Sequence, residues 1–192
     1  MSSSPVPCTP PRRAEAVTGS YSAKATAVND AERHRLQQER DRIRTAYLTV
    51  RDDRPPSNAR GVHHVALICR DVERTTRFYQ EVLGFPLTTM FENRDWPGST
   101  HFFFDLGGGN ALAFFDLPGV DPEAYREVLG GLHHLAISIE TAHWHEAKAR
   151  LDHDGVSYDQ VDDTSLYFRG PDGERLELIA DPLGWMYGER VD

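Results

Sequence analysis

Three side chains in this sequence have the types and the placement to hold a divalent metal ion: His64, His134 and Glu177. Two of them sit in a repeated pattern, since VHHVALICRD at residues 62–71 and LHHLAISIE at residues 132–140 both put a doubled histidine at the head of an apolar run. In a strand, residues two apart share a face. His64, Ala66 and Ile68 therefore point one way, and His63, Val65, Leu67 and Cys69 the other. The same parity sets His134, Ala136 and Ser138 against His133, Leu135, Ile137 and Ile139. The bulky apolar faces suit packing against helices, which leaves His64 and His134 on the open faces. His63 and His133 are expected to face the helices and to carry no chemistry. Glu177, between Leu176 and Leu178, is a carboxylate in an apolar strand, and burying it is costly unless it is paired or bound to a cation. Two neutral imidazoles and one carboxylate make the facial set that binds ferrous iron or manganese and leaves positions open for substrate or oxygen.

The elements that must position these residues fall into two units of the same order. In the first, the strand HHVALIC leads through Asp71, an N-cap, into the helix VERTTRFYQEVL, which Gly84 ends; the strands PLTTMFE, THFFFDL and NALAFFDL follow. In the second, HHLAISI leads into AHWHEAKARLDHD, which Gly155 ends, and VSYDQV, SLYFRG and ERLELIA come after. Each unit reads βαβββ, so the fold class is α+β with two antiparallel-rich sheets side by side. Before them, Asn29 caps a helix over residues 30–50 whose apolar positions Leu36, Ile43, Tyr47 and Val50 form a narrow stripe suited to docking; Pro55 and Pro56 end it. The expected division is a disordered tail at 1–28, this helix and a linker at 29–60, a domain at 61–182 with modules at 61–118 and 131–181, and a tail at 183–192.

Composition narrows the partners. The formal charge of −9 divides into 11 Lys/Arg against 7 Asp/Glu in residues 1–60, and 10 against 23 in residues 61–192. An acidic folded part without a basic stripe argues against nucleic acid. No stretch reaches the roughly 18 apolar residues of a membrane span, and MSSSPVPCTPPRR lacks the apolar core of a secretory signal, so a cytoplasmic location is expected. Cys8 and Cys69 are too few for a disulfide framework or a thiolate zinc site, which leaves His and carboxylate as metal ligands.

HVALICRDVERTTRFYQEVLGF, HHLAISIE and FRGPDGERLELIAD together resemble the vicinal oxygen chelate superfamily, which includes glyoxalases, bleomycin-resistance proteins, fosfomycin-resistance transferases and extradiol dioxygenases. The resemblance covers residues 61–181. It implies that the two modules form a U-shaped, barrel-like mixed-sheet cleft with metal ligands from their first and last strands, and residue by residue it places them again on His64, His134 and Glu177. It puts the fourth, glyoxalase-type carboxylate position on Ala113, which counts against that activity. Leu166 and Tyr167 before the PDG turn match an extradiol pattern, while the histidine that pattern carries further upstream is missing from VSYDQVDDTS.

The expected activity is an extradiol-type dioxygenase acting on a small aromatic substrate chelated through vicinal oxygens, with Fe(II) favoured over Mn(II), Ni(II) or Zn(II) and a homodimer as the assembly. Lyase, isomerase or thiol-transferase chemistry on the same triad is the alternative, followed by non-catalytic ligand binding. His101, on a central strand, is the candidate acid–base group, and Tyr167 the candidate hydrogen-bond donor to a bound oxygen. His143 and His145 are excluded as ligands, because residues two apart on a helix point roughly 200° apart.

Overall fold

The structure, a computed structural model, describes residues 28–186 and 189–191. The expected tail at 1–28, Val28 excepted, and Cys8 lie outside the described residues. Two four-stranded mixed sheets make up the fold, and they do not close into a barrel. In the first, β1 (His64–Ile68), β2 (Leu87–Glu92), β3 (Thr100–Asp105) and β4 (Ala111–Phe115) lie in the order β1-β4-β3-β2. In the second, β5 (Leu135–Ser138), β6 (Tyr158–Val161), β7 (Ser165–Arg169) and β8 (Arg175–Ile179) repeat it as β5-β8-β7-β6. First and last strands of each unit run parallel and the other neighbours antiparallel. A short ribbon, β9 (Trp185–Met186) with β10 (Glu189–Arg190), follows.

The repeat extends to register. Ala113 on β4 stands opposite Ala66 and Phe103, and Glu177 on β8 stands opposite Ala136 and Tyr167. Ala113 is thus the counterpart of Glu177, and the first sheet has a methyl group where the second has a carboxylate. Between β3 and β4, Gly107, Gly108 and Gly109 all have positive φ, so GGG is a hairpin turn that only glycines enter without strain.

One face of each sheet packs into a shared core. Phe102, Phe104, Leu112 and Phe114 from the first sheet and Leu166, Phe168, Leu176 and Leu178 from the second are buried, as period-2 alternation requires. Against them lie α2 (Val72–Arg77), continued by a π-helical turn over Phe78–Val82, and α3 (Thr141–His153), which buries Trp144, Ala147 and Leu151 at helical spacing. Asp71 caps α2 by accepting from the Arg74 amide at 2.9 Å. Cys69 belongs to this core, and burial pushes its thiol up to about 12, so it is no nucleophile at neutral pH.

The two units are joined by polar contacts across that core. Tyr79 Oη donates to Glu174 Oε1 at 2.7 Å, Asp172 accepts from the Arg70 amide and from Arg74, and Arg150 donates to the Val82 carbonyl at 2.6 Å. Burial raises the pKa of Glu174, its hydrogen bonds from Tyr79 and from the Asp172 amide working in the opposite direction. A carboxyl with a raised folded-state pKa contributes most stability below its unfolded pKa and loses that contribution as pH rises through the folded value. Glu174→Gln is therefore expected to be more destabilising at pH 4 than at pH 7, which paired denaturant melts at the two pH values would measure.

The first helix differs from expectation in length and in setting. α1 (Asp30–Tyr47) starts at the predicted cap, where Asn29 Oδ1 accepts from the Glu32 amide at 2.9 Å, but ends before Leu48; a 3-10 turn at Arg51–Asp53 follows. It buries no residue, and Tyr47 is 78 % exposed, so the apolar stripe is not docked on the described part of this chain. Its charged sides are laced by pairs such as Glu32 with Arg35 and Glu39 with Arg42. Among the described residues no helix is long and apolar enough to cross a membrane.

Candidate metal half-site and aromatic wall

The second sheet brings together two of the three proposed ligands. The Nε2 of His134 lies 3.0 Å from Oε2 of Glu177, whose side chain is almost fully enclosed at 4 % exposure for the residue. Parallel pairing of β5 with β8 sets this up, since it places Ala136 beside Glu177 and leaves a small side chain where the imidazole folds over. Tyr167, opposite Glu177 on β7, meets the His134 ring edge-on at 5.7 Å between centroids. Arg175 lies over the Tyr167 ring at 5.3 Å and reaches Glu127 at 3.6 Å.

His64 stands elsewhere. It begins β1 in the first sheet, exposed, with its ring 6.1 Å from that of Phe103. Among the described residues no group of three or more His, Cys, Asp or Glu side chains is gathered closely enough to hold a metal ion, so His64 does not join His134 and Glu177 within one chain.

What His64 does join is an aromatic wall. His101 is stacked on Phe115 at 3.9 Å and 24°, lies 4.3 Å from Phe103, and meets Phe91 edge-on at 5.2 Å. Antiparallel register explains the grouping, because His101 stands opposite Phe115 on one side and Phe91 on the other. The His101 Nε2 is buried with no hydrogen-bond partner among the described residues, and burial first, then the nearby His64, lowers its pKa. It is therefore held as neutral imidazole at neutral pH. Buried polar atoms are nearly always satisfied in folded proteins, so this nitrogen is a place where a bound molecule would supply the missing bond. Phe91 and Ile68 on the same face are 47 % and 49 % exposed.

The doubled histidines behave differently from strand parity. His63 Nδ1 lies 2.9 Å from His64 Nδ1, and His133 Nδ1 lies 2.6 Å from His134 Nδ1, so each leading ring contacts its neighbour instead of pointing to the opposite face. His63, His133 and His134 precede their strands, where the pleat that enforces alternation has not begun. Tyr125 fixes the second pair from behind, its hydroxyl donating to the carbonyls of Leu132 at 2.6 Å and His133 at 2.8 Å. Arg175 Nη1 lies 3.4 Å from His133 Nε2. The sequence pattern assigned no role to Tyr125 or Arg175, and it set His133, visible through its place in the repeat, against the helices instead of against His134. His143 and His145 are exposed on α3, as expected.

The donor set at His134 and Glu177 fits a divalent cation: an imidazole nitrogen and a buried carboxylate oxygen converge on the open face of a sheet, and a cation would offset the cost of burying the carboxylate there.

Known proteins are similar to this chain in sequence and fold. Residues 61–178 match the model of the family described as Glyoxalase/Bleomycin resistance protein/Dioxygenase superfamily. A Bacillus subtilis protein named "Putative ring-cleaving dioxygenase MhqA" is 31 % identical over 135 residues, covering 67 % of this chain and 42 % of its own length. The chain thus spans less than half of that relative. A glyoxalase/bleomycin resistance protein/dioxygenase domain from Frankia sp. EAN1pec superposes with a TM-score of 0.56 at 25 % identity, over 65 % of this chain and all of that one. A fosfomycin resistance protein, FosX, from Listeria monocytogenes, solved as a mutant with Mn(II) and a dihydroxypropylphosphonic acid, shares the fold at a TM-score of 0.50 and 24 % identity, over 65 % of this chain and 94 % of its own. With its family model matched over more than half its length, its two βαβββ units and its sheet order, the chain belongs to the glyoxalase/bleomycin resistance protein/dioxygenase superfamily.

Proposed function

We propose that this chain is a metal-dependent, ring-cleaving dioxygenase of the extradiol type, with residues 61–182 as its catalytic unit and a small aromatic molecule bearing two adjacent oxygens as its substrate. The observation that carries the reading is the contact of 3.0 Å between His134 Nε2 and the buried Glu177 carboxylate. The likeness to a protein named as a ring-cleaving dioxygenase supports the choice of chemistry. Ala113, fully buried at the position that matches Glu177, removes the fourth carboxylate of a glyoxalase-type site.

His134 and Glu177 supply two ligands, and His64 of a second copy supplies the third, which makes the working unit a homodimer. When bound, the metal, Fe(II) in this reading, lends Lewis acidity to the two substrate oxygens and a site for dioxygen. The chain's own residues do the rest. Phe91, Phe103 and Phe115 take the substrate ring and exclude water. The buried Nε2 of His101 accepts a proton from a substrate hydroxyl, its neutral state leaving the lone pair available. Tyr167, against the His134 ring, gives a hydrogen bond to oxygen developing negative charge.

Metal analysis of protein purified without chelators tests the reading. Wild type is expected to hold stoichiometric iron and to take up oxygen with a catechol, and His134→Ala to lose both. Wild type without metal, or metal unchanged in His134→Ala, would overturn the site. Bound manganese or nickel without oxygen uptake would instead place the chemistry with the lyases and transferases.

A further inference from the structure

As the aromatic wall stands, no substrate can reach the nitrogen that is to meet it. His101 Nε2 is buried without a hydrogen-bond partner among the described residues, although the residue as a whole is partly exposed. Such atoms are nearly always paired in folded proteins, so this one is expected to find its partner in a second arrangement of its neighbours. The three rings around it differ in how they are held. Phe115 is stacked on the imidazole at 24°, which covers a ring face and leaves the ring edge, where an Nε2 lone pair projects. Phe115 and Phe103 are both half-buried, and each lies on a strand with neighbours on both sides. Phe91 is different. It stands across the imidazole at 71° and 5.2 Å, is 47 % exposed, and belongs to β2, which pairs with β3 alone. Every residue of β2 after Leu87 is exposed, and the register shifts between Leu87 and Thr89. A bulge of this kind lets an edge strand bend.

We propose that Phe91 is a positioning residue that governs access to His101: its ring closes over Nε2 in the arrangement seen here and swings aside for an entering aromatic ring whose hydroxyl donates to that nitrogen. This inference rests on reading His101 as the group that meets the substrate. In the proposed homodimer the same face lines the shared cleft, so Phe91 opens the nitrogen toward the cleft. The entering ring takes the place beside His101 and Phe103 that Phe91 holds now. An arene without a hydroxyl could displace Phe91 but would leave Nε2 without a donor, and an unmade bond of that kind is costly. The wall therefore selects phenols and catechols over plain arenes of the same shape.

Diethyl pyrocarbonate labelling at neutral pH, read by peptide mass spectrometry on the full chain, measures this access without metal or turnover. In wild type His101 should react slowly beside His143 and His145, which are exposed on α3 and serve as internal references. If the open arrangement is a minor state of about a tenth or less, Phe91→Ala should raise the His101 rate about tenfold or more, while Phe91→Leu, which keeps most of the bulk, should stay within about threefold of wild type. Cys69, buried in the core, reports the fold, and its thiol should stay unreactive in each variant. Should Phe91→Ala expose Cys69, Phe91→Val is read in its place. Excess phenol should protect His101 in Phe91→Ala, and toluene should not. A His101 rate unmoved by Phe91→Ala, or equal protection by phenol and toluene, overturns the proposal. If metal-loaded wild type takes up no oxygen with a catechol while Phe91→Ala still unmasks His101 and phenol alone protects it, the ring-cleaving reading has failed and the access role stands.

Discussion

A mixture of two inactive variants is expected to recover activity. His64→Ala and His134→Ala should each lower turnover by about a thousandfold or more when purified alone, equivalent to about 4 kcal/mol of transition-state stabilisation. Within one chain His64 lies beside Phe103 on the first sheet, away from the pair formed by His134 and Glu177 on the second. If each site takes His64 from one copy and His134 with Glu177 from the other, a dimer of one variant with the other has one doubly damaged site and one intact site. Random exchange makes about half of all dimers mixed, so the mixture should reach about one quarter of wild-type activity and metal content. Two affinity tags that isolate the mixed dimer should raise this to about one half. A site built within one chain gives a different result, because every chain then carries a lesion in its own site and mixing restores nothing. The exposed Ile68 and Phe91 lie on the same face as His64, where a second copy would cover them.

How much of this was legible in the sequence depended on regularity. Inside the strands, alternation places side chains reliably: Ala66 and Ile68 are on the open face, Leu112 and Phe114 are buried, and Glu177 is aligned with Ala136 and Tyr167. Helix starts were equally readable, because Asn29 and Asp71 act through one local hydrogen bond each. The same rule failed just before the strands begin. His63 and His133 stand where no ladder enforces the pleat, and there a direct bond between neighbouring rings decides the orientation. Contacts distant in sequence were not readable either. Nothing in the local pattern announces that Arg175 reaches His133 across 42 positions, or that Tyr79 finds Glu174 across 95. The apolar stripe of α1 was visible, but an amphipathic pattern states only that a face can be buried, not against what.

The largest single loss of stability is expected from Trp144→Ala. The indole is 1 % exposed on α3 and shares its buried face with Ala147 and Leu151, so truncation leaves a cavity beneath the second sheet. Such changes cost about 3–5 kcal/mol, which for a chain of this size lowers the melting temperature by about 10–15 °C. Two parts of the loss can be separated. Trp144 Nε1 donates to the carbonyl of Leu178 at 3.2 Å, the residue after Glu177, and Trp144→Phe keeps most of the packing while removing that donor. Leu178 stays paired in the β7–β8 ladder, so the cost is that of one hydrogen bond, about 0.5–1.5 kcal/mol, and Trp144→Phe should fall between wild type and Trp144→Ala in a urea titration. The hydrogen bond also ties α3 to the strand that carries Glu177, the proposed carboxylate ligand, whereas the packing supports the whole sheet. Trp144→Phe should accordingly keep its metal at 25 °C, and Trp144→Ala should begin to release it at the temperature where the second sheet loosens. If Trp144→Ala costs under about 1 kcal/mol, far below the cavity range, α3 does not pack on the sheet as described.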